Sequence, residues 1–253
     1  MGRLMVDGGE IQYEIAGAGS PVVLLHGGVL SSRMWDREFG LLTDEHTVIR
    51  YDARNHGQST TATGPFAHYD DLRLLLDGLG IERASLVGLS QGSRTSVDFA
   101  LTWPERVERL LLASPGVSGM TFHDPFVLDQ LEHMQGATDL DGVVTPLMRM
   151  WVDGPLRTPE QVDPTVRALC QQMMTDTMSR HAKGWAIPAV EVGADDRLAE
   201  LAVPTTVVLG DLDSTDIVDV AARIGDPVTV ENAGHIVNLE QPERFAEILL
   251  KSV

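Results

Sequence analysis

A chain of 253 residues, 43% hydrophobic and 22% charged, can bury a sizeable core, and single α/β domains reach this length, so one domain (1–253) is expected and global disorder is excluded. The net charge of -18 repels a phosphate backbone and an anionic membrane face, which sets nucleic-acid and membrane partners aside. A single cysteine, Cys170, excludes an internal disulfide and a cysteine-rich metal site.

The first elements read as β. Met1 to Asp7 starts as a strand, Asp7-Gly8-Gly9 signals a turn, and Glu10 to Ala16 alternates polar and apolar side chains. This is a hairpin, with the second strand expected at a half-exposed edge. Nothing before it has the basic, apolar, small-residue order of a signal peptide. No apolar run approaches the ~20 residues that span a bilayer. The expectation is a soluble, cytoplasmic chain.

Val22 to Leu25, Thr47 to Tyr51, Ala84 to Val87 and Val107 to Ala113 are short β-branched or apolar runs, as expected of strands buried on both faces. Between them Trp35 to Leu42, Tyr69 to Leu79 and Ser93 to Trp103 carry helical spacing; Leu72, Leu75, Leu76 and Leu79 share one face. Strand and helix therefore alternate, which predicts an α/β fold with a mostly parallel sheet covered on both sides.

From Pro115 to about Leu201 the rhythm stops. The segment has no strand-like run and contains Met120, Met134, Met148, Met150, Met173, Met174 and Met178 with Trp151 and Trp185. It reads as a helical cap inserted at about 115–201 into a core of 1–114 and 202–253. Methionine adapts to varied shapes, so the composition predicts a mainly apolar pocket that suits uncharged acyl groups. Alternation resumes with Val203 to Leu209, Ile217 to Ile224, Val228 to Val230 and Pro242 to Leu250.

The segment Leu86-Val87-Gly88-Leu89-Ser90-Gln91-Gly92 runs a buried strand into a helix through a serine with glycine two positions to either side. Such a turn presents the hydroxyl outward and tolerates no side chains at the flanking positions. An alcohol is a weak nucleophile at neutral pH and needs a base, which in turn needs an orienting group. His235, in Glu231-Asn232-Ala233-Gly234-His235 after a predicted strand, is the candidate base. Gly210-Asp211-Leu212-Asp213 offers two candidate acids after the preceding strand. Asp213 has the room to turn back toward the histidine, whereas Asp211 is placed to bond backbone amides two residues on. Asp216, a weaker option, is placed to cap the following helix. For the oxyanion, His26-Gly27-Gly28 ends a strand in a glycine-rich turn, so the amides of Gly28 and Gln91 can form the hole, with Val29 as the alternative donor.

Four motifs in order resemble the α/β-hydrolase superfamily over nearly the whole chain. They are His26-Gly27-Gly28, Asp52-Ala53-Arg54-Asn55-His56-Gly57-Gln58-Ser59, Gly88 to Gly92, and Gly234-His235 with Glu240-Gln241-Pro242. The resemblance implies about eight strands with flanking helices and the order nucleophile, acid, histidine, here Ser90, Asp213, His235. It puts the acid three residues after the glycine that ends the strand, and makes Asp52, Arg54 and His56 scaffold. Within the superfamily the motifs resemble 3-oxoadipate enol-lactonases, small esterases and cofactor-free perhydrolases. A serine at the elbow separates the chain from haloalkane dehalogenases and epoxide hydrolases, which place an aspartate there.

These readings converge on hydrolysis of a small-molecule ester or lactone by an acyl-enzyme route, with no cofactor and no metal. Perhydrolysis, C–C bond hydrolysis and cyanohydrin cleavage use the same residues, and a ligand-sensing receptor of the same fold is the alternative from another class.

Overall fold

The computed structural model describes residues 1–253. Eight strands form one sheet in the order β1-β2-β4-β3-β5-β6-β7-β8. They are Gly2–Val6 (β1), Gly9–Ala16 (β2), Ser20–Leu25 (β3), His46–Tyr51 (β4), Ala84–Leu89 (β5), Val107–Ala113 (β6), Thr205–Gly210 (β7) and Val228–Val230 (β8). β1 and β2 pair antiparallel, as do β2 and β4; every later pairing is parallel. The edge is not Glu10 to Ala16, as the alternation suggested. β1 takes the edge and β2 is bonded on both sides.

The parallel strands are apolar because both faces are covered. Successive side chains point to opposite faces, so Val22 and Leu24 enter one core with Val87, Leu89 and Leu111, while Val23 and Leu25 enter another with Leu86, Leu110 and Leu112. Helices Asp36–Leu42 (α1), with Trp35 just before it, and Pro242–Ser252 (α8) cover the first face with Trp35, Phe39, Phe245 and Leu249. Helices His68–Gly78 (α2) and Gln91–Thr102 (α3) cover the second with Leu72, Leu75, Leu76, Val97 and Phe99. Each such buried side chain contributes about 1.5–3 kcal/mol.

Chain order puts β3 and β5 side by side, with β4 beyond β3 and β6 beyond β5. This reversal leaves a crevice at the carboxyl ends of β3 and β5, where open α/β sheets bind ligands. Between β6 and β7 no strand occurs. The chain instead forms Pro125–Gln135 (α4), Asp141–Met148 (α5) and Pro164–His181 (α6), with a π-helical turn at Arg149–Asp153. Val144, Leu147, Met148, Cys170, Met173 and Met174 from this insertion join the first core.

Two carboxylates tie the insertion to helix Thr215–Ile224 (α7) reciprocally. Asp124 caps α4 through the amides of Phe126 and Val127 and also accepts from Thr215 N (3.0 Å) and Oγ1 (2.8 Å). Asp216 accepts from the amides of His123 and Asp124. Asp216 therefore does not cap its own helix. It lies inside α7, after Ser214 at the cap position, and bonds a neighbouring element instead.

Candidate active site

Ser90 is the single residue between β5 and α3, with φ 53° and ψ -108°. The helix begins at once at Gln91, two residues earlier than its apolar spacing indicates. A non-glycine residue at positive φ is strained, and the neighbours show why this turn needs glycines. A Cβ on Gly88 would lie 2.4 Å from the carbonyl carbon of Gly92, and one on Gly92 would lie 2.0 Å from the oxygen of Leu25. The Ser90 amide donates to Ala113 O at 3.0 Å and its carbonyl accepts from Arg94 N at 2.9 Å, so the turn is fixed at both ends.

The imidazole of His235 is buried, and both Asp213 oxygens lie within hydrogen-bond distance of Nδ1, at 2.9 and 3.1 Å. A carboxylate only accepts, so Nδ1 carries the proton and Nε2 is the basic nitrogen. That Nε2 is buried and has no hydrogen-bond partner. Asp213 Oδ1 also accepts from Ser214 N at 2.8 Å. Asp211 does something different from the local turn bond expected of it. Its Oδ1 accepts from Ala233 N at 3.2 Å, so it braces the loop that carries the histidine.

Ser90, Gln91, Gly28 and His235 all line one cavity of about 170 Å³, and Asp213 stands behind His235. No acceptor in the protein engages the Gly28 amide. The Gln91 amide opens α3, where the first N–H groups of a helix lack intrahelical acceptors. Val29 differs: its amide donates to His56 Nε2 at 3.1 Å and is consumed. Of the two amides, only that of Gly28 is left free.

The histidines around this loop are neutral braces. His56 donates from Nδ1 to Arg54 O (2.9 Å), and His26 donates from Nδ1 to Gly27 O (2.8 Å) while its Nε2 accepts from Ala53 N (2.9 Å). Burial pushes both below the ordinary histidine range, for His56 with added repulsion from His26 and His68. The carboxylate of Asp52 accepts from the amides of Ser32 and Gln58, both at 2.8 Å. Arg54 forms a buried two-pronged pair with Asp71, at 2.9 and 2.6 Å. No group of three or more His, Cys, Asp or Glu side chains is arranged to hold a metal ion, and no helix is long and apolar enough to cross a membrane.

The insertion supplies part of the remaining cavity wall, including Met120, Phe122, Leu147, Trp151, Met174 and Trp185. Its methionines divide: Met120 and Met174 reach the cavity, whereas Met148, Met150 and Met173 are buried as packing. Two contacts had no sequence signal. Trp151, on the π-helical turn, packs on the His235 ring with centroids 4.8 Å apart. Arg157 forms a buried ion pair with Glu240, whose Oε1 also accepts from Gly234 N at 3.1 Å. Glu240 belongs to a recognisable motif, but nothing in the sequence connects it to Arg157, 83 residues away.

The fold and site together define a class. The model of the alpha/beta hydrolase family matches residues 22–248, and the chain belongs to that family. It is 27% identical over 247 residues to a Bacillus subtilis protein named an uncharacterized carboxylesterase, covering 91% of this chain and 78% of the relative. It is 27% identical over 224 residues to 3-oxoadipate enol-lactonase 2 of Acinetobacter baylyi, covering 84% and 80%. Among solved structures, the enol-lactonase from Burkholderia xenovorans matches with a TM-score of 0.79 and 25% identity over 99% of this chain and 98% of the other.

Proposed function

We propose that this protein is a serine hydrolase that cleaves an ester or lactone of a small, mainly apolar carboxylic acid through an acyl-enzyme. One observation carries the reading. His235, held through Nδ1 by Asp213 and with Nε2 unpartnered, lines the cavity that also contains the strained Ser90.

In the proposed reaction His235 Nε2 takes the Ser90 proton as Oγ attacks the scissile carbonyl. Asp213 stabilises the imidazolium and keeps the ring in its tautomer. Negative charge collects on the former carbonyl oxygen, where the amides of Gly28 and Gln91 donate to it. Such preorganised donors strengthen as charge develops, and removing one typically costs ~10²–10³ in rate. The imidazolium then protonates the leaving alkoxide, and water, deprotonated by His235, releases the acid. No step requires a cofactor. Eleven of the 18 cavity-lining residues are hydrophobic, which favours an apolar acid over a dicarboxylate. The esterase and enol-lactonase relatives support the same reaction class.

The test is covalent capture. An alkyl phosphonate p-nitrophenyl ester should add one phosphonyl group to the protein, located by fragmentation of the tryptic peptide 84–94 to Ser90 and not to Ser85 or Ser93. Modification elsewhere, or none with ester turnover intact, would remove Ser90 from the mechanism.

A further inference from the structure

A second cavity, of about 340 Å³, backs onto the first; the two share Gln91, Arg94 and Trp185 as a common wall. Its own lining is more polar and includes His68 and Glu191. Arg94 sits one helical turn after Ser90, so its backbone lies about 6 Å along the α3 axis from the nucleophile. Of its donors, Nη1 is spent on Glu191 Oε1 at 2.8 Å, while nothing in the protein accepts from Nε or Nη2. Nε is sealed from solvent; Nη2 is not. Gln91 donates its side-chain amide to His68 Nε2 at 3.3 Å, forming the sill between the cavities.

We propose that this cavity is a second substrate subsite, in which Arg94 Nη2 donates to an uncharged acceptor oxygen, a ketone or amide carbonyl, carried several bonds from the scissile carbonyl. The inference rests on the serine-hydrolase reading above and narrows it to substrates with one apolar arm and one acceptor-bearing arm.

Charge decides between a neutral acceptor and a carboxylate. Glu191 already neutralises Arg94, and Asp98 lies nearby. Burial and then the Glu191 charge push the Asp98 carboxyl up to about 6, so a further anion here is opposed by like charge. His68 offers no compensating cation, because burial, with repulsion from His26, Arg94 and Arg54, pushes its imidazole down to about 3. A neutral carbonyl uses the free donor without that repulsion.

The experiment compares matched esters by ratio of kcat/KM, so that overall rate cancels. The acyl-arm pair is p-nitrophenyl 5-oxohexanoate and p-nitrophenyl hexanoate; the alcohol-arm pair is 4-oxopentyl and pentyl butyrate. The wild-type protein should prefer the oxo member of at least one pair by about tenfold, and Arg94→Met should bring that ratio near one. Glu191→Gln, which uncovers the guanidinium charge, should raise turnover of mono-p-nitrophenyl adipate relative to hexanoate about fivefold. Ser90-dependent hydrolysis with no oxo preference in either pair, or a preference that survives Arg94→Met, overturns the subsite alone. An unchanged adipate ratio in Glu191→Gln overturns the charge assignment within it. Hydrolysis that persists in Ser90→Ala overturns the underlying reading instead.

Discussion

Trp151 lies against the His235 imidazole at 4.8 Å between ring centroids, with the planes tilted by 41°. The indole comes from the insertion and the imidazole from the loop after β8, so the contact joins the cavity wall to the proposed base. An aromatic ring this close excludes water from one side of the imidazole and limits the orientations it can take. Trp151→Ala should lower kcat/KM for p-nitrophenyl butyrate about tenfold, and Trp151→Phe should restore most of it. Equal activity in Ala, Phe and wild-type proteins would reduce the contact to packing.

The two aspartates after β7 separate cleanly by partner. Asp213 holds His235 Nδ1, and Asp211 holds the Ala233 amide. Asp213→Asn should cut kcat by a factor up to about 10⁴, because the ring loses both its tautomer and its counter-charge. Asp211→Asn keeps an acceptor oxygen for Ala233 and should cost less than about tenfold. Steady-state kinetics on both folded variants check this, and a reversed order would move the acid to Asp211.

Much of this arrangement was legible in residue order. The strained turn at Ser90 is legible in what its flanking glycines permit, and the alternation of strands and helices shows which loops reach the carboxyl edge. Which of the Gly28 and Val29 amides is free was not, because that depends on His56, 27 residues from Val29. Trp151 was expected in the cavity wall, but its contact with His235 was not legible for a similar reason: it sits on a π-helical turn, and composition carries no such angle. Asp216 shows the opposite error. Its local position reads as a helix cap, but tertiary bonds to the amides of His123 and Asp124 claim it.

Glu38 on α1 is a buried acid outside the proposed mechanism. Both its oxygens and Asn238 Oδ1 lack partners when the carboxyl is ionised; a protonated carboxyl can donate to that Oδ1. Burial pushes the carboxyl up to about 7, and the neighbouring polar groups, its own backbone amide and Asn238, offset only part of this. A folded-state value above the unfolded one means that the folded protein binds the extra proton. Stability is then full below about 4.5 and declines as pH rises through about 7, by about 3 kcal/mol in total. Glu38→Gln supplies a permanent donor to Asn238 and should flatten this decline, raising stability at pH 8 by about 1–3 kcal/mol. Urea unfolding at pH 5 and pH 8 measures it; parallel pH dependence in both proteins would remove Glu38 as the cause.

The Ser90 hydroxyl is the proposed reacting atom. Alanine fits the same strained turn without it, so purified Ser90→Ala should retain the wild-type circular dichroism spectrum and unfolding midpoint. Its kcat/KM for p-nitrophenyl butyrate should fall at least 10³-fold, about 4 kcal/mol of lost transition-state stabilisation. A folded Ser90→Ala protein that kept more than about a hundredth of wild-type kcat/KM, a loss of only about 2.7 kcal/mol, would contradict the account.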